Sequence, residues 1–106
     1  MFLKNVSFKI TLSPEQAVSL KTPNGWVYAE GGNCGLIVYN ADGRTVAYDR
    51  CAAGKSSKLT VDGFVAVDSE SGAKWLLKDG TPIHIAECPL QSYSVRKEGE
   101  FIIVSN

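Results

Sequence analysis

The residue types that could do chemistry in this chain are concentrated between positions 51 and 75. Cys51 begins one turn-rich segment, and Asp68, Glu70 and Ser71 occupy a second. A cysteine thiolate can attack an electrophile or bind a metal, and a carboxylate can act as an acid or a base. The only histidine in the sequence is His84, so these residues have no nearby histidine with which to complete a hydrolytic relay.

The cysteines are Cys34, Cys51 and Cys88, an odd number that allows at most one disulfide within the chain. Free buried thiols are the first interpretation, one disulfide the second and a metal site the third. No two cysteines have the Cys-x-x-Cys spacing of common zinc sites. A reactive Cys51 would need a neighbouring cation, such as Arg50 or Lys55, to lower its pKa. An inert loop cysteine is the preferred interpretation.

The composition favours a soluble domain without a polyanionic partner. Eleven Lys and Arg balance eleven Asp and Glu, so the chain has none of the net positive charge typical of nucleic-acid-binding proteins. No apolar run is long enough to span a bilayer, and the first residues do not form a signal-peptide core. We expect one domain over residues 1–106. The default location is cytoplasmic, or the cell envelope or exterior if a leader was removed.

The elements that position these residues are predicted to be short strands after one helix. Ser13, Pro14 and Gln16 form a helix start with a capping box, and the helix is expected over 14–20. Turn residues such as Asp42-Gly43 then recur every eight to twelve residues, a spacing typical of an all-β sandwich or barrel. We predict an opening strand over 6–12, followed by strands at 26–28, 36–39, 45–48, 58–61, 64–67, 73–77, 82–85, 91–95 and 100–104.

The order of three motifs resembles the Rieske-type [2Fe–2S] ferredoxins, particularly those of Bacteroidetes-like bacteria. The motifs cover about residues 25–106. They are the hairpin of 36–39, Asp42-Gly43 and 46–49; the segment 72–75 followed by 77–80; and the closing hairpin of 89–95 with Glu98-Gly99. The resemblance implies an all-β fold of stacked antiparallel sheets, an ISP-type sandwich, with one short N-terminal helix.

The same resemblance implies an iron–sulfur site that has lost its ligands. Rieske centres use two cysteines and two histidines, arranged as Cys-x-His in one loop and Cys-x-x-His in the next. The corresponding positions here are Cys51, Ala53, Asp68 and Ser71. Under an alignment shifted by one residue, Cys51 sits just before the cysteine position and Gly54 replaces Ala53. We therefore expect no metal and no cofactor. The alternative is that the protein binds a [2Fe–2S] cluster in an atypical centre, for instance one assembled between two chains through Cys51.

Without irons, other contacts must hold the two loops. Lys55, Asp68 and Glu70 are the polar residues expected to stabilise them, including through a cross-loop contact, with Asp68 or Ser69 accepting hydrogen bonds from loop amides. His84 is expected at the surface or rim, with Ile83 and Ile85 facing the core.

The sequence predicts no catalytic residues and no enzyme. The first functional hypothesis is a cluster-free accessory or interaction module with an unidentified protein partner. The alternatives are an electron-transfer ferredoxin with an atypical cluster and a thiol redox protein using Cys51.

Overall fold

The computed structural model describes residues 7–30, 34–51, 58–86, 88–98 and 101–105. Within them the chain forms two antiparallel sheets and one short helix, as the sequence predicts. The elements, in chain order, are β1 (Ser7–Thr11), α1 (Pro14–Lys21), β2 (Trp26–Ala29), β3 (Leu36–Ala41), β4 (Arg44–Asp49), β5 (Thr60–Asp62), β6 (Val65–Val67), β7 (Lys74–Leu76), β8 (Pro82–His84), β9 (Ser92–Glu98) and β10 (Phe101–Ser105).

Helix α1 begins at the predicted capping box and ends against a buried side chain. The Ser13 hydroxyl accepts from the Gln16 amide, and the Gln16 side chain accepts from the Ser13 amide. At the other end, Asn40 Nδ2 donates to the carbonyls of Leu20 and Thr22, at 2.9 and 3.1 Å. Asn40 therefore satisfies carbonyls that a helix C-terminus leaves without an intrahelical partner.

The larger sheet has six strands in the order β1-β10-β9-β4-β3-β2. Strand β4 links its two parts through the pairs Ala47 with Tyr93 and Tyr48 with Ser92. The β3–β4 hairpin turns at Asp42 and Gly43, both of which have positive φ, 54° and 90°. Such a two-residue turn matches the right-handed twist of the strands and fixes their register.

The smaller sheet has four strands in the order β5-β6-β7-β8. The segment 50–59 connects it to β4, and a tight loop at 68–73 connects β6 to β7. These are the two segments in which the sequence places its chemically interesting residues.

Strand β3 is buried on both faces and separates two apolar clusters. One cluster combines Ile37 and Tyr39 of β3 with Trp75, Leu59 and other residues in or beside the smaller sheet. The other combines Leu36 and Val38 with α1 and the β9–β10 hairpin. Since alternate residues of a strand point to opposite faces, continuous burial of residues 36–40 means that both faces are covered.

The expected orientation of strand β8 is wrong. Ile83 and Ile85 are 47% and 60% exposed, and His84 between them is also exposed. Strand β8 lies at an edge of the smaller sheet and is only three residues long, and within the described ranges no second layer covers these isoleucines. His84 is at the surface, as expected, but for a different reason.

Candidate functional site

Two cysteines flank the open end of the β3–β4 hairpin and are joined by a disulfide. Leu36 pairs with Asp49, and the Arg50 amide continues the ladder by donating to the Gly35 carbonyl at 2.9 Å. Cys34 and Cys51 form the next pair in the same register, with Cα atoms 5.6 Å apart. This spacing suits both a cross-strand pair and a disulfide. The backbone ladder itself therefore brings the sulfurs together.

The carboxylate of Asp49 lies beside the disulfide and is completely buried. Its Oδ1 accepts from the Cys51 amide at 3.0 Å, and its Oδ2 accepts from the Tyr93 hydroxyl at 2.9 Å. Burial, and then the hydrogen bond and charge of Asp49, raise the pKa of Tyr93 well above its usual value. Tyr93 therefore remains a neutral donor that holds the carboxylate in place.

The segment 68–73 is closed by hydrogen bonds of its own residues. Asp68 is 1% exposed; its Oδ1 accepts from the Glu70 amide at 3.1 Å and its Oδ2 from the Ser71 hydroxyl at 2.8 Å. The Ser71 oxygen in turn accepts from the Ala73 amide, and Gly72 adopts a φ of 79°. The side chains of Asp68 and Ser71, where the motif resemblance expects cluster ligands, are thus engaged in forming the turn.

The structure places the other predicted site residues as follows. Cys51 is 2% exposed, and Glu70 is exposed and contributes its backbone amide to the turn. Ala53 and Lys55 lie outside the described residues, so the expected cross-loop contact of Lys55 stays a prediction. Arg50 does not serve as an activating cation for Cys51 in this arrangement. Its guanidinium donates to the Leu59 carbonyl and stacks over the Tyr28 ring, 3.7 Å from the centroid.

The expectation of free buried thiols is wrong for all three cysteines. Cys34 and Cys51 are paired, and Cys88 is free but exposed. Cys88 contributes its carbonyl rather than its thiol to the core, by accepting from the Trp75 indole at 2.8 Å. Only Cys51 and the partly buried Cys34 thus belong to the candidate site.

The residues around Cys51, which are Cys34, Asp49 and Tyr93, were not identified from the sequence. The hairpin register does, however, predict that Cys34 lies opposite Cys51. A two-residue turn at Asp42-Gly43 pairs Ala41 with Arg44. Counting outward residue by residue then places position 34 opposite position 51. No comparable signal identifies Tyr93, because β9 is distant in sequence.

The class of protein is an all-β domain of two stacked antiparallel sheets. One connection runs from the larger sheet to the smaller, and a second lies within the smaller.

No family model and no curated protein matches the chain. The solved structures that are similar to it include three ferredoxin-type chains. One belongs to the complex of reduced oxygenase and oxidized ferredoxin in carbazole 1,9a-dioxygenase, with 17% identity, coverage of 93% of this chain and 92% of that one, and a TM-score of 0.67.

A second is a ferredoxin of Sphingomonas yanoikuyae B1, with 19% identity, coverage of 93% of this chain and 99% of that one, and a TM-score of 0.63. The third is the ferredoxin of carbazole 1,9a-dioxygenase from Nocardioides aromaticivorans IC177, with 12% identity, coverage of 91% and 95%, and a TM-score of 0.60. The chain therefore has the Rieske-type ferredoxin fold, and the resemblance read from its motifs is confirmed at the level of the fold.

The residues present do not fit the cluster of that fold. A Rieske centre needs two cysteine thiolates and two histidine nitrogens. Cys51 is disulfide-bonded to Cys34, and the Ser71 hydroxyl donates a hydrogen bond to the Asp68 carboxylate. The single histidine of the chain, His84, is exposed on strand β8. One chain therefore cannot supply the ligand set, and the site is a degenerate one.

Proposed function

We propose that this chain is a non-enzymatic, cluster-free accessory module that acts by binding a partner protein. The observation that carries the proposal is the bond between Cys51 and Cys34. It occupies the thiol that the motif resemblance places at, or one residue before, a cluster-ligand position. The scaffold is retained while the donor set for electron transfer is absent.

The contacts at the former ligand positions replace the mechanical role of the irons. In a cluster protein, metal bonds tie both loops to one centre. Here the cystine anchors the start of the segment 50–59, where the Leu59 amide also donates to the Arg50 carbonyl at 2.6 Å. The Asp68 carboxylate and the Ser71 hydroxyl close the segment 68–73. A module that orders the described ends of these segments without a metal is suited to recognition rather than redox transfer.

Exposed apolar side chains beside the second loop support a binding role. Ile85 has a positive φ of 64°, which is unfavourable for a β-branched residue, and its side chain is 60% exposed. A Cβ added to Gly72 would lie 3.6 Å from Ile85 Cδ1, so the Ile85 side chain lies beside Gly72 of the 68–73 turn. This exposed apolar side chain is therefore available for contact with a partner protein.

An atypical electron-transfer cluster receives no comparable support. A cluster shared between two chains through Cys51 would require a free and accessible thiol. Cys51 is instead 2% exposed and bonded to Cys34. Its sulfur would have to be reduced and uncovered before it could bind a second chain's iron.

A thiol–disulfide carrier is the second candidate function, because Cys51 has a cysteine partner in the same ladder. Equilibration with glutathione redox buffers tests it. Redox carriers have potentials between about −270 and −120 mV, whereas structural cystines lie below about −300 mV. A value in the upper range favours a carrier. A value in the lower range leaves the cystine as a structural brace, typical of oxidising compartments.

The accessory role is tested by iron and inorganic-sulfide analysis of protein expressed anaerobically with ample iron, combined with its visible absorption spectrum. We expect colourless protein with substoichiometric iron. Two irons and two sulfides per chain would contradict the proposal, and so would turnover of a substrate by the purified chain alone.

A further inference from the structure

The cystine and Asp49 together form the densest group of metal-binding side chains in the described part of the protein. One donor atom from each of Cys34, Asp49 and Cys51 lies within 4.8 Å of the others. Four-coordinate zinc binds cysteine sulfur at about 2.3 Å and carboxylate oxygen at about 2.0–2.2 Å, so its ligand atoms lie less than about 4.6 Å apart. The carboxylate oxygen and the two sulfurs therefore lie within reach of one ion once reduction lets the bonded sulfurs move apart.

The register of the hairpin would keep the donors together after reduction. The pairing of Leu36 with Asp49 and the bond from the Arg50 amide to the Gly35 carbonyl are backbone contacts that do not depend on the disulfide. Cys34 and Cys51 occupy the next position of this ladder. Asp49 is held from the other side by the hydroxyl of Tyr93, a buried residue of strand β9.

We propose that reduction converts this cystine into a binding site for zinc or a similar thiophilic divalent cation, with Cys34, Cys51 and Asp49 as ligands. Two thiolates and one carboxylate carry three negative charges and suit a borderline-soft dication. The hydrogen bonds from Tyr93 and the Cys51 amide orient the carboxylate in the way that outer contacts usually orient metal ligands. This site is independent of the accessory role proposed above.

The chemistry requires a dithiol reductant. One thiolate of the reductant attacks the Cys34 sulfur, because Cys34 is the more exposed of the pair, and the S–S bond breaks to release Cys51 as a thiolate. The second thiol of the reductant then displaces Cys34, so that the reductant leaves as a disulfide after supplying two electrons and two protons. Zinc binding releases the protons of both protein thiols to solvent as two sulfur–metal bonds form.

Cobalt titration of the reduced protein provides the test. The Cys88→Ser variant removes the exposed free thiol and serves as the parent protein. After reduction and removal of the reductant under anaerobic conditions, we expect one Co²⁺ per chain, with a thiolate-to-cobalt charge-transfer band that zinc abolishes. The oxidised parent should show no such band.

Three variants of the parent identify the ligands. Cys34→Ser and Cys51→Ser should each weaken binding by about 100-fold or more and reduce the charge-transfer band, and Asp49→Asn should weaken it by about 10-fold or more, as loss of a group at a metal site commonly does. Glu70→Gln, at an exposed carboxylate outside the group, should change nothing. Circular dichroism of the reduced parent without metal should show a folded chain.

Cobalt bound without the charge-transfer band would overturn the proposal, as would unchanged affinity in Cys34→Ser or Asp49→Asn. A reduced parent that is unfolded, and stays unfolded when zinc is added, would also overturn it. In that case the ladder would not hold the donors together without the disulfide.

Discussion

Cys34 and Cys51 lie opposite each other, two positions beyond the Leu36–Asp49 pair that ends the β3–β4 ladder, with their Cα atoms 5.6 Å apart. The motif resemblance places a cluster ligand at or just after Cys51, and here the Cys51 sulfur is bonded to Cys34 instead. The bond is a covalent brace across the open end of the hairpin.

Removing the disulfide should destabilise the fold without abolishing it. The two cysteines are 17 residues apart, and closing a loop of about that length stabilises a protein by roughly 3 kcal/mol in the chain-entropy model. We expect the double variant Cys34→Ser/Cys51→Ser to lose about that much free energy of unfolding, measured by urea denaturation. Cys88→Ser is the matched control and should differ little. Equal stability of the double variant and the control would contradict the bracing role.

Asn40 should be essential for the junction between helix α1 and the larger sheet. Its Nδ2 donates to two carbonyls at the helix end, and its Oδ1 accepts from the Gly43 amide at 2.7 Å. Asn40→Asp keeps the acceptor but places a buried carboxylate against two carbonyls, which should cost about 2 kcal/mol or more.

The penalty of Asn40→Asp should shrink at acid pH, where protonation restores one donor to the side chain. Urea denaturation at about pH 7 and about pH 4 measures this difference. Thr60→Ala, at an exposed strand residue, is the control. A penalty that is the same at both pH values would show that the lost donor is not the cause.

Alkaline pH should destabilise the protein through Tyr48. Burial, followed by the charge of Asp79, raises the pKa of Tyr48 from its ordinary value of 10.0 to about 12. The unfolded chain therefore loses this proton at lower pH than the folded chain does. Stability should fall as the pH rises from about 10 towards about 12, by up to about 1.4 kcal/mol for each pH unit.

The Tyr48→Phe variant removes this contribution to the pH dependence. Denaturation of Cys88→Ser and Cys88→Ser/Tyr48→Phe over this pH range compares the two slopes, and the missing free thiol prevents disulfide exchange. We expect a shallower decline in the tyrosine variant. Parallel declines would indicate that other groups cause the alkaline loss.

Ser71 should contribute to the stability of the second loop through its hydroxyl. Ser71→Ala removes the donor to Asp68 Oδ2 and the acceptor for the Ala73 amide, a change that should cost about 1–2 kcal/mol. Ser69→Ala, at the exposed neighbouring position, should cost little. Thermal unfolding of the two variants measures the difference, and equal melting temperatures would argue against the proposed bracing of the turn.

Local signals predicted most of the fold. The capping box of Ser13 and Gln16 and the Asp42-Gly43 turn are short-range rules, and both appear as expected. The exposure of Ile83 and Ile85 could not be read in the same way, because alternation cannot tell an edge strand without a covering layer from a half-buried one. The predicted strand boundaries also shift by one to three residues, for example at β5, which begins at Thr60, and at β9, which ends at Glu98.

The candidate site was only partly predictable. The sequence shows that Asp68 and Ser71 stand where the motif resemblance expects a cysteine and a histidine. That these two side chains close their own turn by hydrogen bonds is visible only in the structure. The pairing of Cys34 with Cys51 could be predicted from the hairpin register, whereas the residues around Asp49 could not. Tyr93 reaches that carboxylate from β9, 44 residues away along the chain.

Native mass spectrometry of protein purified anaerobically from iron-replete cells tests the central claim most directly. We predict a single metal-free species that is two hydrogens lighter than the fully reduced chain, with the missing hydrogens mapped by proteolysis to a link between Cys34 and Cys51. A species carrying two irons and two sulfides, with Cys51 free of Cys34, would contradict the account.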